Sequence, residues 1–170
     1  MTLKLFPPHE HTARLCLRAP VPEDPPGVCA IQGDPATNAF NPAGPPDDDE
    51  CVAMLTSWIS DWRSGVGYWC VRLIEDGPTI GHGGLRTQHL ESEVVLNLYY
   101  RFAPEAWGHG YATELGEHCL LAAQAAPPAV AVQALIREDN TASLAVALRV
   151  GMLLTGVQSD GYGERQIFRA

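Results

Sequence analysis

The segment that most constrains the fold is a glycine-bearing loop between an extended apolar run and a helical pattern. The apolar run covers Val94 to Phe102, and the loop reads Trp-Gly-His-Gly-Tyr-Ala from Trp107 to Ala112. Gly108 and Gly110 lack a Cβ, so the backbone can turn sharply there and approach a ligand closely. The first amides of a helix have no partner inside the helix and, with the helix dipole, they favour an anion. The segment therefore predicts a phosphate-bearing ligand, although a simple tight turn can carry the same two glycines.

A second helical pattern begins at Asn140-Thr141-Ala142-Ser143 and ends at Val150-Gly151-Met152. The order of strand, glycine loop, helix and second helix resembles the GNAT superfamily of acetyl-coenzyme A-dependent N-acetyltransferases. The RimJ/RimL-type protein N-acetyltransferases are the branch that the chain resembles most.

The resemblance covers most of the chain. It begins at 12–18, which looks like the first strand of that branch, and continues through 81–85 and 104–108 to Gly151-Met152. In the loop signature of the family, Trp107 stands at the Arg or Gln position, Gly110 at the glycine and Ala112 at the last place. Trp107 departs from the signature.

The resemblance implies an α+β fold in one domain, 1–170. It has a central, mixed, mostly antiparallel twisted sheet of about seven strands, flanked by about four helices. The local patterns agree with this fold. They predict strands at Tyr68–Ile74, Thr79–Leu85, Val94–Phe102 and Ala129–Ile136, a final strand pair within Leu153–Ala170 joined near Gly161, and helices after Asp47–Glu50, after the glycine loop and over Asn140–Val150.

Two segments before the glycine loop add detail. Pro20 to Pro46 is rich in Pro and Gly, which predicts loop with a short helix near 28–32. In GNAT proteins the corresponding region helps to build the acceptor site.

The next helix carries an apolar stripe of Val52, Leu55, Ile59 and Trp62 and is expected to end at Gly65. The four acids that precede it complement the positive end of its dipole. Pro127-Pro128 is expected to end the helix that follows the loop.

Composition narrows the location and the partners. The net charge of −9 disfavours nucleic acid as a partner, and it suits either a cationic acceptor or simple solubility. No signal pattern and no membrane-length apolar run is seen, so we expect a cytoplasmic protein without a membrane partner. The five cysteines are odd in number and none forms Cys-x-x-Cys, so neither disulfides nor a metal site are expected. His9 and His11 flank an N-terminus that looks disordered.

The resemblance also implies how acetyl-coenzyme A is held. The backbone amides of the loop would bind the pyrophosphate, and the strand edge would pair with the pantetheine arm. Asn140 would position the pantetheine, and Ser143 would face the sulfur. We expect the His109 side chain to face solvent, although it is also placed to contact phosphate. The residues expected to bind the cofactor are Tyr100, Arg101, Phe102, Trp107, Gly108, His109, Gly110, Tyr111, Ala112, Thr113, Asn140 and Ser143.

The leaving thiolate must be protonated or stabilised. Many GNAT enzymes use a tyrosine further along the last helix, but the stretch Leu144 to Leu148 contains none. Ser143 is therefore the candidate for hydrogen bonding to the thiolate. The alternative is that Asn140 only caps the helix and Ser143 only occupies its first turn.

No general base can be assigned. Related enzymes often carry a glutamate on the long strand, and Asn97 stands at that position, where an amide cannot take a proton. Glu93 has the same strand parity but lies about 13 Å away along an extended chain. A water chain, Tyr99 or Tyr100 are the alternatives. His82 is expected to be a strand residue rather than a catalytic one.

These features predict an N-acetyltransferase that moves acetyl to a primary amine. A protein N-terminal α-amine, with a pKa of about 7.8, suits a site without a base better than a lysine amine near 10.4. The acidity of the chain points instead to a polyamine or an aminoglycoside. A homodimer is possible. The alternative function is a non-catalytic acyl-coenzyme A-binding module with a degraded acceptor site.

Overall fold

A computed structural model describes residues 5–90, 93–126 and 129–170. The described residues form eight strands and four α-helices, joined by short 3₁₀ turns such as Ala36–Asn38 and Pro104–Ala106. In chain order the elements are β1 His9–His11, β2 Cys16–Arg18, α1 Pro25–Gly33, α2 Asp48–Asp61, β3 Tyr68–Arg72, β4 Gly81–His89, β5 Val94–Phe102, α3 Tyr111–Ala125, β6 Val132–Arg137, α4 Thr141–Arg149, β7 Leu153–Ser159 and β8 Glu164–Arg169.

One sheet contains all eight strands in the order β1-β2-β3-β4-β5-β6-β8-β7. Neighbouring strands are antiparallel except β5 and β6, which are parallel and pair only at Leu96 with Val132 and Asn97 with Gln133. The two strands therefore separate beyond Asn97, in the middle of the sheet. The predicted α+β class with a mixed, mostly antiparallel sheet and four helices is confirmed.

The N-terminal part of the sheet differs from the prediction. A single strand was expected over 12–18, but the chain forms a hairpin in which β1 pairs with β2. The turn is closed because the Thr12 amide donates to the Leu15 carbonyl at 3.0 Å, and the Leu15 amide donates to the Thr12 hydroxyl at 3.1 Å. His9 and His11 lie in β1, and residues 1–4 of the N-terminus that they flank lie outside the described residues. This hairpin accounts for the eighth strand.

The two faces of the sheet carry different cores. Leu96, Leu98 and Phe102 of β5 pack with α3 and α4, while Tyr68 and Cys70 of β3 pack with α1 and α2. Side chains alternate across a strand, so neighbouring residues of β5 contact opposite helix layers.

Helix α2 begins as its acids predict and buries a different stripe. The Glu50 amide donates to Asp47 Oδ1 at 2.8 Å, and the Asp47 amide donates to Glu50 Oε2 at 2.9 Å, which forms a capping box. The predicted stripe was partly wrong because Val52 is 46% exposed, whereas Trp58 is buried with its ring 5.4 Å from the Tyr68 ring. Packing of Trp58 on the sheet sets the helix rotation.

Cys29 of α1 and Cys51 of α2 form a disulfide, so the expectation of no disulfide was wrong. Their Cα atoms lie 5.7 Å apart although 22 positions separate them in sequence. A disulfide needs two Cβ atoms brought together by folding, and the spacing of cysteines along the chain does not show this. Cys16, Cys70 and Cys119 are free thiols.

The remaining boundaries shift by a few residues. Helix α3 ends at Ala125, and the predicted stop at Pro127-Pro128 lies outside the described residues. Turn residues near Gly161 join β7 to β8, as predicted.

None of the described helices combines the length and the apolar character that crossing a bilayer requires. Among the described residues, no three His, Cys, Asp or Glu side chains form a cluster able to hold a metal ion.

Candidate active site

The glycine loop leads directly into α3. Gly108 and Gly110 have φ angles of 77° and 80°, which a residue with a Cβ rarely adopts, and Gly110 is the N-cap residue of the helix. No described residue accepts a hydrogen bond from the backbone amides of 108–113. Six amides without an acceptor, at the positive end of a helix dipole, form a site suited to a phosphate group.

An ion pair that the sequence reasoning missed fixes this loop against the β1–β2 turn. Arg14 donates from Nε to Glu114 Oε2 at 2.7 Å and from Nη1 to the His109 carbonyl at 2.9 Å. Burial opposes ionisation of Glu114, but hydrogen bonds from Thr12 and Arg14 hold the pKa of that carboxyl below its usual value. Arg14 was visible in the segment that resembles the first strand. Its partner Glu114 is 100 positions away in the sequence and could not be identified before folding.

Two side chains of the loop are solvent-exposed. Trp107 is 49% exposed and donates from its indole nitrogen to the Phe102 carbonyl at 2.8 Å. The exposed His109 ring stacks on Tyr111 with ring centroids 5.4 Å apart, which agrees with the expectation that it faces solvent. The His109 backbone amide belongs to the group of free amides, whereas the Trp107 amide donates to the Pro104 carbonyl at 3.1 Å.

The gap between β5 and β6 lies next to the start of α4. Because the strand pairing ends at Asn97, the backbone of residues 98–102 has no strand partner on that side among the described residues. Asn140 caps α4 by accepting a hydrogen bond from the Ser143 amide at 3.1 Å. Tyr100 packs against the same core as Leu144 of α4, and burial raises the pKa of its phenol. The structure thus brings together Asn140 and Ser143, two of the predicted site residues, at the start of α4.

The Arg101 side chain lies away from this gap. It is on the opposite face of β5, where Nη1 donates to Asn38 Oδ1 at 2.8 Å. Arg101 was expected to help bind the cofactor through the strand edge, and only its backbone is placed to do so. Its guanidinium instead holds the 3₁₀ turn Ala36–Asn38 against the sheet.

A buried polar network joins α1 to β4 and β5, and the sequence reasoning missed it. Gln32 Nε2 lies 2.7 Å from His82 Nε2 and 3.1 Å from the Tyr99 hydroxyl. Burial, followed by the charge of Arg101, lowers the pKa of His82 to about 3, so this ring is neutral at physiological pH. The Gln32 amide thus links the His82 ring to the Tyr99 hydroxyl.

His82 is a strand residue as expected, and it is fully buried. A histidine with so low a pKa does not serve as a general base near neutrality. His82 instead contacts Gln32 of α1 in a buried polar network. A pattern of hydrophobic residues in the sequence does not indicate such a network.

Asn97 lies at the point where the sheet opens. It is half-buried, with Arg86 beside it on β4 and Gln133 beside it on β6. Burial raises the pKa of the nearby Tyr68 phenol well above its usual value. Asn97 Oδ1 is buried and has no partner among the described residues. No proton acceptor is present at this position.

Glu93 does not replace the missing carboxylate. Its Oε1 atom lies 2.7 Å from Arg169 Nη2, which holds the side chain in an ion pair. Asp61 is similarly paired, with Oδ2 2.7 Å from Arg86 Nε. Each of these two carboxylates is therefore already engaged by an arginine side chain.

The comparison with known families decides which kind of protein this is. Residues 14–153 match the model of the Acetyltransferase (GNAT) domain. The chain belongs to this family. A relative from Bacillus subtilis (strain 168), the uncharacterized protein YkkB, is 34% identical to this GNAT protein over 88 residues, which are 52% of this chain and 51% of YkkB. The chain thus aligns with about half the length of that relative.

Solved structures of other acetyltransferases share the fold of this GNAT protein. An acetyltransferase from Agrobacterium tumefaciens str. C58 is 24% identical, with 97% of this chain and 95% of that chain covered and a TM-score of 0.82. The microcin C7 self-immunity acetyltransferase MccE, solved with acetyl-CoA and AMP, is 16% identical, with 98% of each chain covered and a TM-score of 0.74. RimL, the ribosomal L7/L12 alpha-N-protein acetyltransferase, was solved with coenzyme A and is 17% identical, with 94% of each chain covered and a TM-score of 0.72.

The site of this GNAT protein therefore contains three chemical elements. The loop amides can bind an anion, the hydroxyls of Ser143 and Tyr100 can donate hydrogen bonds beside the open strand edge, and Asn97 can orient a ligand but cannot take its proton.

Proposed function

We propose that this GNAT acetyltransferase transfers an acetyl group from acetyl-coenzyme A to a primary amine, in the manner of the RimJ/RimL branch. The observation that carries the proposal is the run of free amides at 108–113, together with the open edge of β5 and the hydroxyl of Ser143 at the start of α4. The match to the GNAT domain supports acetyl transfer in general.

Each part of the candidate cofactor site has a separate task. The amides of 108–113 would hold the pyrophosphate, since the expected Trp107 amide instead donates to the Pro104 carbonyl, and the backbone at 100–102 would pair with the pantetheine arm. Asn140 holds the first turn of α4 in place, so that the Ser143 hydroxyl would lie at the leaving sulfur. Acetyl-coenzyme A supplies an activated thioester, and the chain's own groups bind it and orient the reacting partners.

The acceptor that best suits this site is a protein N-terminal α-amine. Acetylation needs the neutral amine, and an α-amine with a pKa of about 7.8 is partly neutral in the cell, whereas a lysine amine near 10.4 is almost wholly charged. Asn97 leaves no carboxylate to remove a proton. RimL, whose fold this chain shares, is described as an alpha-N-protein acetyltransferase. A polyamine or an aminoglycoside is the second acceptor class, favoured by the net charge of −9.

A matched acceptor screen tests this proposal. Coenzyme A release is measured with N-terminal peptides, the same peptides acetylated at the N-terminus but carrying an internal lysine, polyamines and aminoglycosides. We expect release with the free peptides and a mass increase at the α-amine. Release only with polyamines or aminoglycosides would overturn the acceptor assignment. Tight acetyl-coenzyme A binding without release for any amine would instead identify a non-catalytic binding module. Homodimerisation stays a prediction, which analytical ultracentrifugation would test.

A further inference from the structure

The orientation of the peptide bond between His109 and Gly110 is not fixed by the two residues that it joins. Gly110 has a φ of 80°, and glycine populates negative φ angles about as readily. Gly110 therefore offers little steric resistance to a rotation of this peptide plane by half a turn. Such a rotation exchanges the directions of the His109 carbonyl and the Gly110 amide, because the two groups point in opposite directions in a trans peptide. A contact from outside the loop has to select one of the two orientations.

Arg14 supplies this contact. Its Nη1 atom donates to the His109 carbonyl at 2.9 Å, and its Cζ atom lies 5.0 Å from the centre of the Tyr111 ring. Because the carbonyl faces Arg14, the Gly110 amide faces the opposite side of the loop, where no described residue accepts its hydrogen bond. A hydrogen bond from a charged donor is stronger than one between neutral groups. Arg14 thus favours the orientation in which the Gly110 amide is available to an anion.

The Arg14 side chain is held in place by groups other than a ligand. Its Nε atom donates to Glu114 Oε2 at 2.7 Å, and its backbone amide donates to Glu114 Oε1 at 2.8 Å. The Thr12 hydroxyl donates to the same Oε1 atom. Glu114 belongs to the first turn of α3, so the arginine connects the β1–β2 turn to the helix that the loop precedes. A side chain already held in this way does not have to be ordered when a ligand binds.

The charges around the loop indicate what Arg14 contributes. The segment 107–113 contains no Lys or Arg, and Trp107 stands where the family signature has Arg or Gln. Among the described residues, Arg14 is the arginine whose side chain hydrogen-bonds the backbone of this segment. Its charge is matched by the Glu114 carboxylate, 2.7 Å away. The contribution of Arg14 therefore lies in the orientation of the loop rather than in added net charge.

We propose that Arg14 orients the cofactor loop before the ligand binds, by holding the 109–110 peptide so that the Gly110 amide faces the pyrophosphate of coenzyme A. The inference rests on the proposed binding of coenzyme A at this loop. Arg14 is a positioning residue, because it acts through the loop backbone. Without its side chain the loop populates both peptide orientations, and the apparent affinity falls with the fraction of molecules in the binding orientation.

Two other variants serve as controls. Arg137 also bridges a carboxylate and a backbone carbonyl, with Nη2 2.6 Å from Asp160 Oδ2 and Nη1 3.4 Å from the Glu164 carbonyl oxygen. Arg137→Ala therefore removes the same kinds of contact at the turn between β7 and β8. Thr12→Val removes one hydrogen bond to Glu114 and weakens the attachment of the β1–β2 turn to α3, but it leaves the guanidinium in the protein.

The test measures coenzyme A binding by isothermal titration calorimetry for the wild type, the two controls, Arg14→Ala and Arg14→Lys. We expect Arg14→Ala to raise Kd about tenfold or more, because a hydrogen bond from a charged donor no longer selects the binding orientation. Arg14→Lys should lose nearly as much affinity, since an ammonium group lacks the planar fork that reaches both Glu114 and the His109 carbonyl. The two controls should keep the wild-type Kd. In ligand-free crystals of Arg14→Ala, the 109–110 peptide should be rotated or present in two orientations.

Three results would overturn the role of Arg14. They are a wild-type Kd in a folded Arg14→Ala protein, an equal loss of affinity in Thr12→Val, and an unrotated 109–110 peptide at full occupancy in ligand-free Arg14→Ala. The second result would mean that Arg14 only attaches the β1–β2 turn to α3. Thermal unfolding shows that each variant is folded. Failure of the proposed function looks different, because the wild type itself would then bind no coenzyme A, or would bind it and acetylate no amine.

Discussion

Substituting Gly110 by valine tests the cofactor loop most sharply. Gly110 has a φ of 80°, and a Cβ added there would lie 3.5 Å from Arg14 Nη2, an ordinary contact. The valine would therefore not clash with a neighbouring residue. Its cost comes from the left-handed backbone conformation at position 110. A residue with a side chain in the left-handed φ/ψ region costs about 1–2 kcal/mol. The protein can avoid this cost if the backbone of residue 110 leaves the left-handed conformation.

The expected loss of affinity follows from the amides that this movement turns away. Gly110 is the N-cap residue of α3, and the free amides of Tyr111 and Ala112 come next. A hydrogen bond to a charged group contributes about 1.5–3 kcal/mol, so the loss of one phosphate contact weakens binding by roughly 10- to 150-fold. We expect Gly110→Val to raise the Kd of coenzyme A at least about tenfold.

Gly161→Val is the matched control for this measurement. Gly161 has a φ of 84°, has no atom within 4 Å of an added Cβ, and lies in the turn between β7 and β8. Both variants should lose a similar free energy of unfolding, but only Gly110→Val should lose affinity in isothermal titration calorimetry. An unchanged Kd for a folded Gly110→Val protein would refute the assignment of the loop.

Three further predictions concern the acceptor side, the disulfide and the buried histidine. The pH profile of kcat/KM should follow the pKa of each acceptor, with no enzyme pKa between about 5 and 7, and Asn97→Glu should raise the rate at lower pH. Reduction should lower the free energy of unfolding by about 3 kcal/mol, because the Cys29–Cys51 bond spans 22 residues, and Tm by about 6–12 °C. The pKa of His82 is about 3 in the folded protein and about 6.5 in the unfolded chain. Between pH 3 and pH 6.5 the imidazole is therefore protonated in the unfolded chain and neutral in the folded protein, so acid favours unfolding. Stability should therefore fall by about 2.3 kcal/mol from pH 6.5 to 4.5, and His82→Gln should remove that loss.

Each of these three predictions has a contrary result. An enzyme pKa near 6 that does not move between acceptors would mean that a general base has been overlooked. A Cys29→Ser variant should show no response to reductant, and an equal response would place the effect elsewhere. For His82, urea unfolding that shows the same pH slope in the wild type and in His82→Gln would show that other groups dominate.

Local signals in the sequence account for what was predicted correctly. The glycines before α3 mark a left-handed turn and a helix start, and Asn140 was identified as the possible cap that it proves to be. The acids before α2 form the predicted N-terminal cap. These features depend on residues within a few positions of one another, so their physical cause is visible in the sequence.

Apart from the local β1–β2 hairpin, the errors and omissions depend on contacts between distant segments. The Cys29–Cys51 bond, the pairing of Arg14 with Glu114 and the network around His82 join residues that are 22 to 100 positions apart. The face of α2 that is buried depends on how Trp58 meets the sheet. No periodicity or spacing rule reports such contacts, because they exist only after the strands have paired.

The most direct test of the proposed function is a single incubation of the purified protein with acetyl-coenzyme A and a peptide that has a free α-amine. Thiol release and peptide mass are followed together. The account predicts one coenzyme A thiol released per acetyl group added, with the added mass at the peptide N-terminus. Binding of acetyl-coenzyme A without thiol release, for this peptide and for every other amine offered, would contradict it.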